Sequence, residues 1–227
     1  MRNFVLAASL IALLVSMTIL ALLMVSAGLS ADSKTVTLDP GYNCITTSMV
    51  PLHPCPIELF SGLDIGGGKL RRWDAPTQSE AIYSPKSTGF GCVLMGDGLW
   101  LKCTAPTSWT YECGPDGLSV DETDWADYWI SLPQAGFTLF GHPFNHSVLL
   151  RDCDVTDGND TLSFSDAALA GWIQGYCWGW DAPLQSRFKV VPSGKTGSLI
   201  LEPNHGYQLR SFRQKLALIV PAYPKTP

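Results

Sequence analysis

The chain is expected to be mainly β: an N-terminal transmembrane helix, then two tandem small β-sandwich or barrel-like modules carrying one or two short helices. Three observations predict this. Phe4 to Leu29 is an uncharged, almost wholly apolar run of 26 residues. Beyond it, short runs of β-branched and aromatic residues alternate with Gly, Pro and Asp, the pattern of strands and turns. The soluble part also repeats itself: Trp73-Asp74-Ala75-Pro76 recurs as Trp180-Asp181-Ala182-Pro183.

At 1.5 Å per residue the apolar run reaches about 39 Å as a helix, more than the hydrocarbon thickness of a bilayer, about 30 Å. It also exceeds the apolar core of a signal peptide, about 7–15 residues. An uncleaved anchor over residues 1–31 is the preferred reading, with Arg2 cytoplasmic and the chain from Asp32 extracytoplasmic, periplasmic or at the cell surface. Cleavage after Ala27 or Ala31 would make the protein secreted instead. Ala8, Ala12 and Ser16 share one helical face, where small side chains let a second membrane helix approach.

The strand pattern places strands at Thr35–Leu38, Tyr42–Val50, Lys69–Trp73, Gly91–Met95 and Leu99–Cys103. Later strands are expected at Phe137–Phe140, Tyr176–Trp180, Phe188–Val191, Tyr207–Phe212 and Lys215–Val220. Two helices are expected. Pro56 to Ser61 opens with Pro, which suits a first helical turn. Ser165 to Ile173 follows Ser163-x-x-Asp166, a capping box with Asp in place of Glu.

The repeat extends past its tetrapeptide. Leu38-Asp39-Pro40-Gly41-Tyr42-Asn43 resembles Leu132-Pro133-Gln134-Ala135-Gly136-Phe137-Thr138, and Trp100 and Tyr207 each stand 27 residues beyond the repeated Trp. This order gives a first module over 34–112, an acidic linker over 113–127, a second module over 128–222 and a tail over 223–227. The pattern resembles a β-rich repeat of secreted and surface proteins of environmental bacteria. That repeat has a Gly-aromatic-Asn opening strand, an aromatic–Asp turn and a Gly-Tyr/Trp closing strand. The closing positions depart from it, reading Gly98-Leu99-Trp100 and Gly206-Tyr207-Gln208. The resemblance implies architecture and an extracytoplasmic location.

The formal net charge of −5 argues against nucleic-acid binding. Charge is segregated: Glu112 to Asp181 carries twelve acids and one base, and Arg187 to Lys225 seven bases and one acid. Seven cysteines follow the apolar run: Cys44, Cys55, Cys92, Cys103, Cys113, Cys153 and Cys177. Disulfides are allowed outside the cytoplasm, and an odd count leaves at least one thiol outside any intramolecular bridge. Sequence does not choose the pairs.

Motifs for chemistry are weak. Asp152, Asp154, Asp157 and Asp160 are calcium candidates, but their spacing fails the EF-hand pattern, and turn chemistry explains them. His142 and His146 stand four apart, as zinc ligands on a helix do, with Pro143 between them. Gly66-Gly67-Gly68 lacks the Lys-Ser/Thr of a phosphate loop. Trp178 and Trp180 would share one strand face, as core residues or as interaction aromatics that stack on a sugar with Trp73 and Trp100. No cofactor is implied. The expected function is non-catalytic: a membrane-anchored accessory subunit docking onto or scaffolding a larger protein complex, such as a respiratory or photosynthetic one. A secreted adhesion or carbohydrate-binding module and an unrecognised hydrolase are the alternatives.

Overall fold

The computed structural model describes residues 32–86, 88–113, 126–194 and 196–222. The expected membrane anchor with Ala8, Ala12 and Ser16, most of the acidic linker and the tail lie outside the described residues. Among the described residues no helix is long and apolar enough to cross a membrane.

The protein is mainly β; the described residues form several antiparallel sheets and two short α-helices. In the first half, β1 (Asp32–Leu38) pairs with β6 (Thr107–Cys113). A four-stranded sheet runs in the order β2 (Gly41–Ile45), β5 (Leu99–Cys103), β3 (Leu70–Asp74), β4 (Ser79–Ile82). Helix α1 (Pro56–Leu59) sits between β2 and β3.

The second half repeats this order. Its opening strand β7 (Tyr128–Leu132) pairs with its closing strand β16 (Leu216–Val220), as β1 does with β6. The sheet β8 (Gly136–Gly141), β15 (Gly206–Ser211), β12 (Cys177–Asp181), β13 (Ser186–Val190) matches β2-β5-β3-β4. The outer sheet gains β10 (Asp154–Thr156) and β11 (Thr161–Ser163), and β9 (Val148–Leu149) pairs with β14 (Ile200–Leu201). Helix α2 (Phe164–Leu169) follows β11.

Alternation drives each strand inward. In β6, Trp109, Tyr111 and Cys113 are buried while Ser108, Thr110 and Glu112 face water. Each half has its own apolar cluster: one around Leu70, Leu99, Leu101 and Trp109, the other around Phe140, Phe144, Phe164 and Leu218. Helix α2 is bounded by its sequence. The Ser163 hydroxyl accepts from Asp166 N–H at 3.1 Å and donates to Asp166 Oδ2 at 2.7 Å, capping the N-terminus. Gly171, at φ +70°, closes the other end: its N–H bonds Ala168 O at 3.1 Å and Trp172 N–H bonds Ala167 O at 2.9 Å, a Schellman motif. That turn stops the helix short of the expected Ile173.

Other expectations are corrected. Gly91–Met95 forms no strand, and β2 stops at Ile45 rather than reaching Val50. Strands β4, β6, β7, β9, β10, β11 and β14 are not among the expected ones. Trp100 and Tyr207 are not structural equivalents. Trp100 opposes Arg71, whereas Gln208 opposes Trp178, so Gln208 holds the place of Trp100 and Tyr207 that of Leu99. A shift of one residue turns a side chain to the other sheet face. Accordingly Tyr207 and Leu99 are buried in their cores, while Trp100 is half-buried on the other face.

Candidate binding clefts between the two halves

The repeated tetrapeptide is a hairpin loop that grips the other half. It connects β3 to β4 and β12 to β13, and in each case runs on to a glutamine: Trp73-Asp74-Ala75-Pro76-Thr77-Gln78 and Trp180-Asp181-Ala182-Pro183-Leu184-Gln185. The aspartates shape the loops. Asp74 Oδ2 accepts from the Thr77 hydroxyl, and Asp181 Oδ1 accepts from Leu184 N–H at 2.9 Å. Gln78 and Gln185 both take left-handed backbone, at φ 52° and 48°. Their amides fold back to donate to Ala75 O at 2.7 Å and Ala182 O at 2.5 Å.

From that position each loop reaches across. Trp73 Nε1 donates to Phe137 O at 2.7 Å, and Trp180 Nε1 donates to Tyr42 O at 2.7 Å. Gln78 Oε1 accepts from Phe137 N–H at 2.7 Å while its Nε2 donates to Phe137 O at 2.9 Å. Gln185 treats Tyr42 the same way, at 2.7 Å and 3.0 Å. Tyr42 and Phe137 are the equivalent residues of β2 and β8, so each half holds the opening of the other's meander. Gly41 (φ +95°) and Gly136 (φ +141°) make the approach possible. A Cβ there would lie 2.3 Å from Gln185 Oε1 and 2.1 Å from Gln78 Oε1.

The strand ends exchange partners too. Thr46 N–H bonds Asn204 O at 3.2 Å, and Gly141 N–H bonds Gly96 O at 2.7 Å. Between the sheets, Trp100 meets Trp180 edge-on with ring centroids 5.2 Å apart.

Two clefts result, each with a repeated loop on one side and the first strands of the other half on the other. The larger, about 520 Å³, is lined by Arg72, Trp73, Leu94, Asp97, Tyr128 and Trp129 among others. Its polar groups are mostly paired internally. Arg72 Nη2 donates to Asp97 Oδ2 at 2.5 Å, and Leu94 N–H donates to the same oxygen at 2.9 Å. The Tyr128 hydroxyl donates to Met95 O. Burial, with the Asp97 charge second, raises the Tyr128 pKa and keeps the phenol a donor. Apolar surface is what remains on offer: Trp129 is 59% exposed and Leu94 60%. The smaller cleft, about 410 Å³, is more acidic, lined by Asp39, Asn43, Trp180, Asp181, Glu202 and His205 among others.

The residues singled out by sequence fall as follows. Trp178 and Trp180 do share a strand face, turned toward the first half, and both are half-buried. Trp180 lines the smaller cleft, whereas Trp178 packs edge-on against Tyr176, 5.2 Å away, with Lys189 over both rings. Trp100, Trp178 and Trp180 meet around one small hollow, while Trp73 lines the larger cleft. Asp157 serves the β10–β11 turn, its Oδ1 accepting from Asn159 and Asp160 N–H at 2.9 Å each. Asp152 is buried, 3.7 Å from Arg151 Nε. Among the described residues no three His, Cys, Asp or Glu side chains group as metal ligands.

His142 is fully buried; its Nε2 bonds His146 O at 2.5 Å, and its Nδ1, like His146 Nε2, has no hydrogen-bond partner. Burial lowers the His142 pKa to about 4, against the bond to His146 O that raises it, so the ring is neutral at physiological pH. Leu94 and Trp129 gave no motif. Gln78 and Gln185 were legible as a two-residue extension of the repeat, with Thr77 and Leu184 varying between. No protein-family model, no characterised protein and no solved structure matches the chain.

Proposed function

We propose that the protein is a non-catalytic interaction subunit, anchored in a membrane by residues 1–31, whose two tandem β-modules form an extracytoplasmic body that docks onto a protein partner. The larger cleft is the docking site. The observation that carries this reading is the exposure of Trp129 and Leu94 beside Trp73, in a cleft whose charged groups are already satisfied by one another. A partner gains mainly by covering apolar surface there, and a part-exposed Trp beside a concavity is the usual anchor of such a contact.

The test is gentle detergent extraction of native membranes containing the tagged full chain, followed by identification of stoichiometric partners. Trp129→Ala and Leu94→Ala should each weaken partner retention about tenfold or more while leaving the fold intact. Unchanged retention in both variants, or a protein that purifies alone, overturns the reading. Carbohydrate binding is the second reading, favoured by half-exposed Trp180 beside Asp181 in the smaller cleft. Retardation in polysaccharide gels that Trp180→Ala abolishes would select it.

A further inference from the structure

The segment around residue 93 returns to the chain near residue 54, just before α1. Val93 N–H donates to Pro54 O at 2.8 Å. That bond sets Cys92 and Cys55 on adjoining chain segments, each next in sequence to a bonded residue. Neither Pro54 nor Pro56 has an N–H with which to return a second bond. Cys55 is extended, at φ −68° and ψ 131°. Residues facing each other across adjoining extended backbone hold their Cα atoms about 4.5–5.5 Å apart, inside the range that a disulfide spans.

Cys55 and Cys92 are both exposed. The neighbouring Cys92 thiol, ahead of the Glu58 charge, raises the Cys55 pKa. The other cysteines are placed differently. Cys44, Cys113, Cys153 and Cys177 are buried, with Cys113 Sγ against Met49 Sδ at 3.5 Å, and Cys103 is half-buried.

We propose that Cys55 and Cys92 are a redox pair that closes to a surface disulfide. With a small-molecule disulfide as oxidant, one cysteine thiolate attacks an oxidant sulfur, forming a mixed disulfide and releasing one oxidant thiolate. The second cysteine thiolate then attacks the protein sulfur of the mixed disulfide, forming the Cys55–Cys92 bond and releasing the other half. The pair loses two protons and two electrons, and one oxidant disulfide becomes two thiols. The bond would tie α1 to the 90–97 loop, which Arg72 already grips through Phe90 O at 2.7 Å and Cys92 O at 3.2 Å. That loop carries Leu94 and Asp97, one wall of the larger cleft. The bond itself does not depend on what the cleft binds.

The test is non-reducing peptide mapping of the full chain after reduction and re-equilibration with oxidised glutathione. Trypsin gives peptide 35–69, holding Cys44 and Cys55, and peptide 87–102, holding Cys92. The expected product is the two peptides linked, about 2 Da below their summed mass. The link should survive in Cys44→Ser and vanish in both Cys55→Ser and Cys92→Ser. Three results overturn the proposal: unlinked peptides, glutathione adducts without the link, or a link that persists in Cys55→Ser. The wild-type map alone distinguishes the first two, so a variant that misfolds leaves the test intact.

Discussion

Gln78 and Gln185 do the same work from opposite halves: each closes its side-chain amide on both the N–H and the C=O of one residue in the other half, Phe137 and Tyr42 respectively. The pairing is that of a β-bridge made by a side chain, and both glutamines make it from positive φ at the end of the repeated loop. Replacing Gln78 by Ala removes three hydrogen bonds, and replacing Gln185 removes four. Gln78 is less exposed than Gln185, so its loss strands a less hydrated Phe137 N–H. Gln78→Ala should cost about 1–3 kcal/mol and Gln185→Ala about 1 kcal/mol. Urea unfolding of the two variants measures this. Equal costs, or none, would show that the clasp contributes nothing beyond solvent hydrogen bonding.

The glycines facing these amides yield a sharper test. At Gly136 a methyl group meets Gln78 Oε1 at 2.1 Å, and φ is +141°. At Gly158 φ is +94° but a methyl meets nothing within 4 Å. Gly158→Ala isolates the backbone cost, about 1 kcal/mol. Gly136→Ala adds loss of the clasp and should be at least 1 kcal/mol worse. Matching losses would mean that Gln78 swings aside freely.

Stability should fall on mild acidification because of His142. Its folded pKa, about 4, lies below the unfolded value of about 6.5. Between those values the unfolded chain binds a proton that the folded chain does not, so folding free energy is full above pH 6.5 and declines as pH drops toward 4. A shift of this size corresponds to about 3 kcal/mol in all. Protonation would put an N–H at Nδ1, which is buried with no partner. In urea unfolding between pH 7.5 and 4.5, His142→Gln should show a visibly flatter profile than the parent. Parallel profiles would place the acid sensitivity elsewhere.

The cap of α2 is a local device and should behave as one. Ser163→Ala leaves Asp166 N–H without its side-chain acceptor and should cost about 0.5–2 kcal/mol. Ser163→Asp or Ser163→Asn restores an acceptor and should recover most of it. Thermal unfolding of the three variants decides; a loss that Asn does not rescue would point to the hydroxyl's donation to Asp166 Oδ2 instead.

Some of this was readable in one dimension. The mainly β class, the start of α2 and the repeated loop are all local: strand alternation, a Ser three residues before an Asp, and a tetrapeptide written twice. The alternation of β6 was equally plain, with Trp109, Tyr111 and Cys113 on one face, but its end runs into the acidic stretch that reads as linker. Strand β4 had no such signal. Ser79–Ile82 is polar and mostly exposed, and is a strand because β3 offers it hydrogen bonds.

By itself, then, the sequence determined the mainly β class, where α2 begins and that one loop occurs twice, since these follow from side-chain periodicity and short-range hydrogen bonds. Only the tertiary structure decided what that loop is for. Its indole and amide find partners some 60 and 140 residues away, at Phe137 and Tyr42. It also decided register, setting Gln208 rather than Tyr207 in the place of Trp100. Register and cross-half contact depend on which backbone groups lie opposite once two sheets have met, and no local run of side chains encodes that.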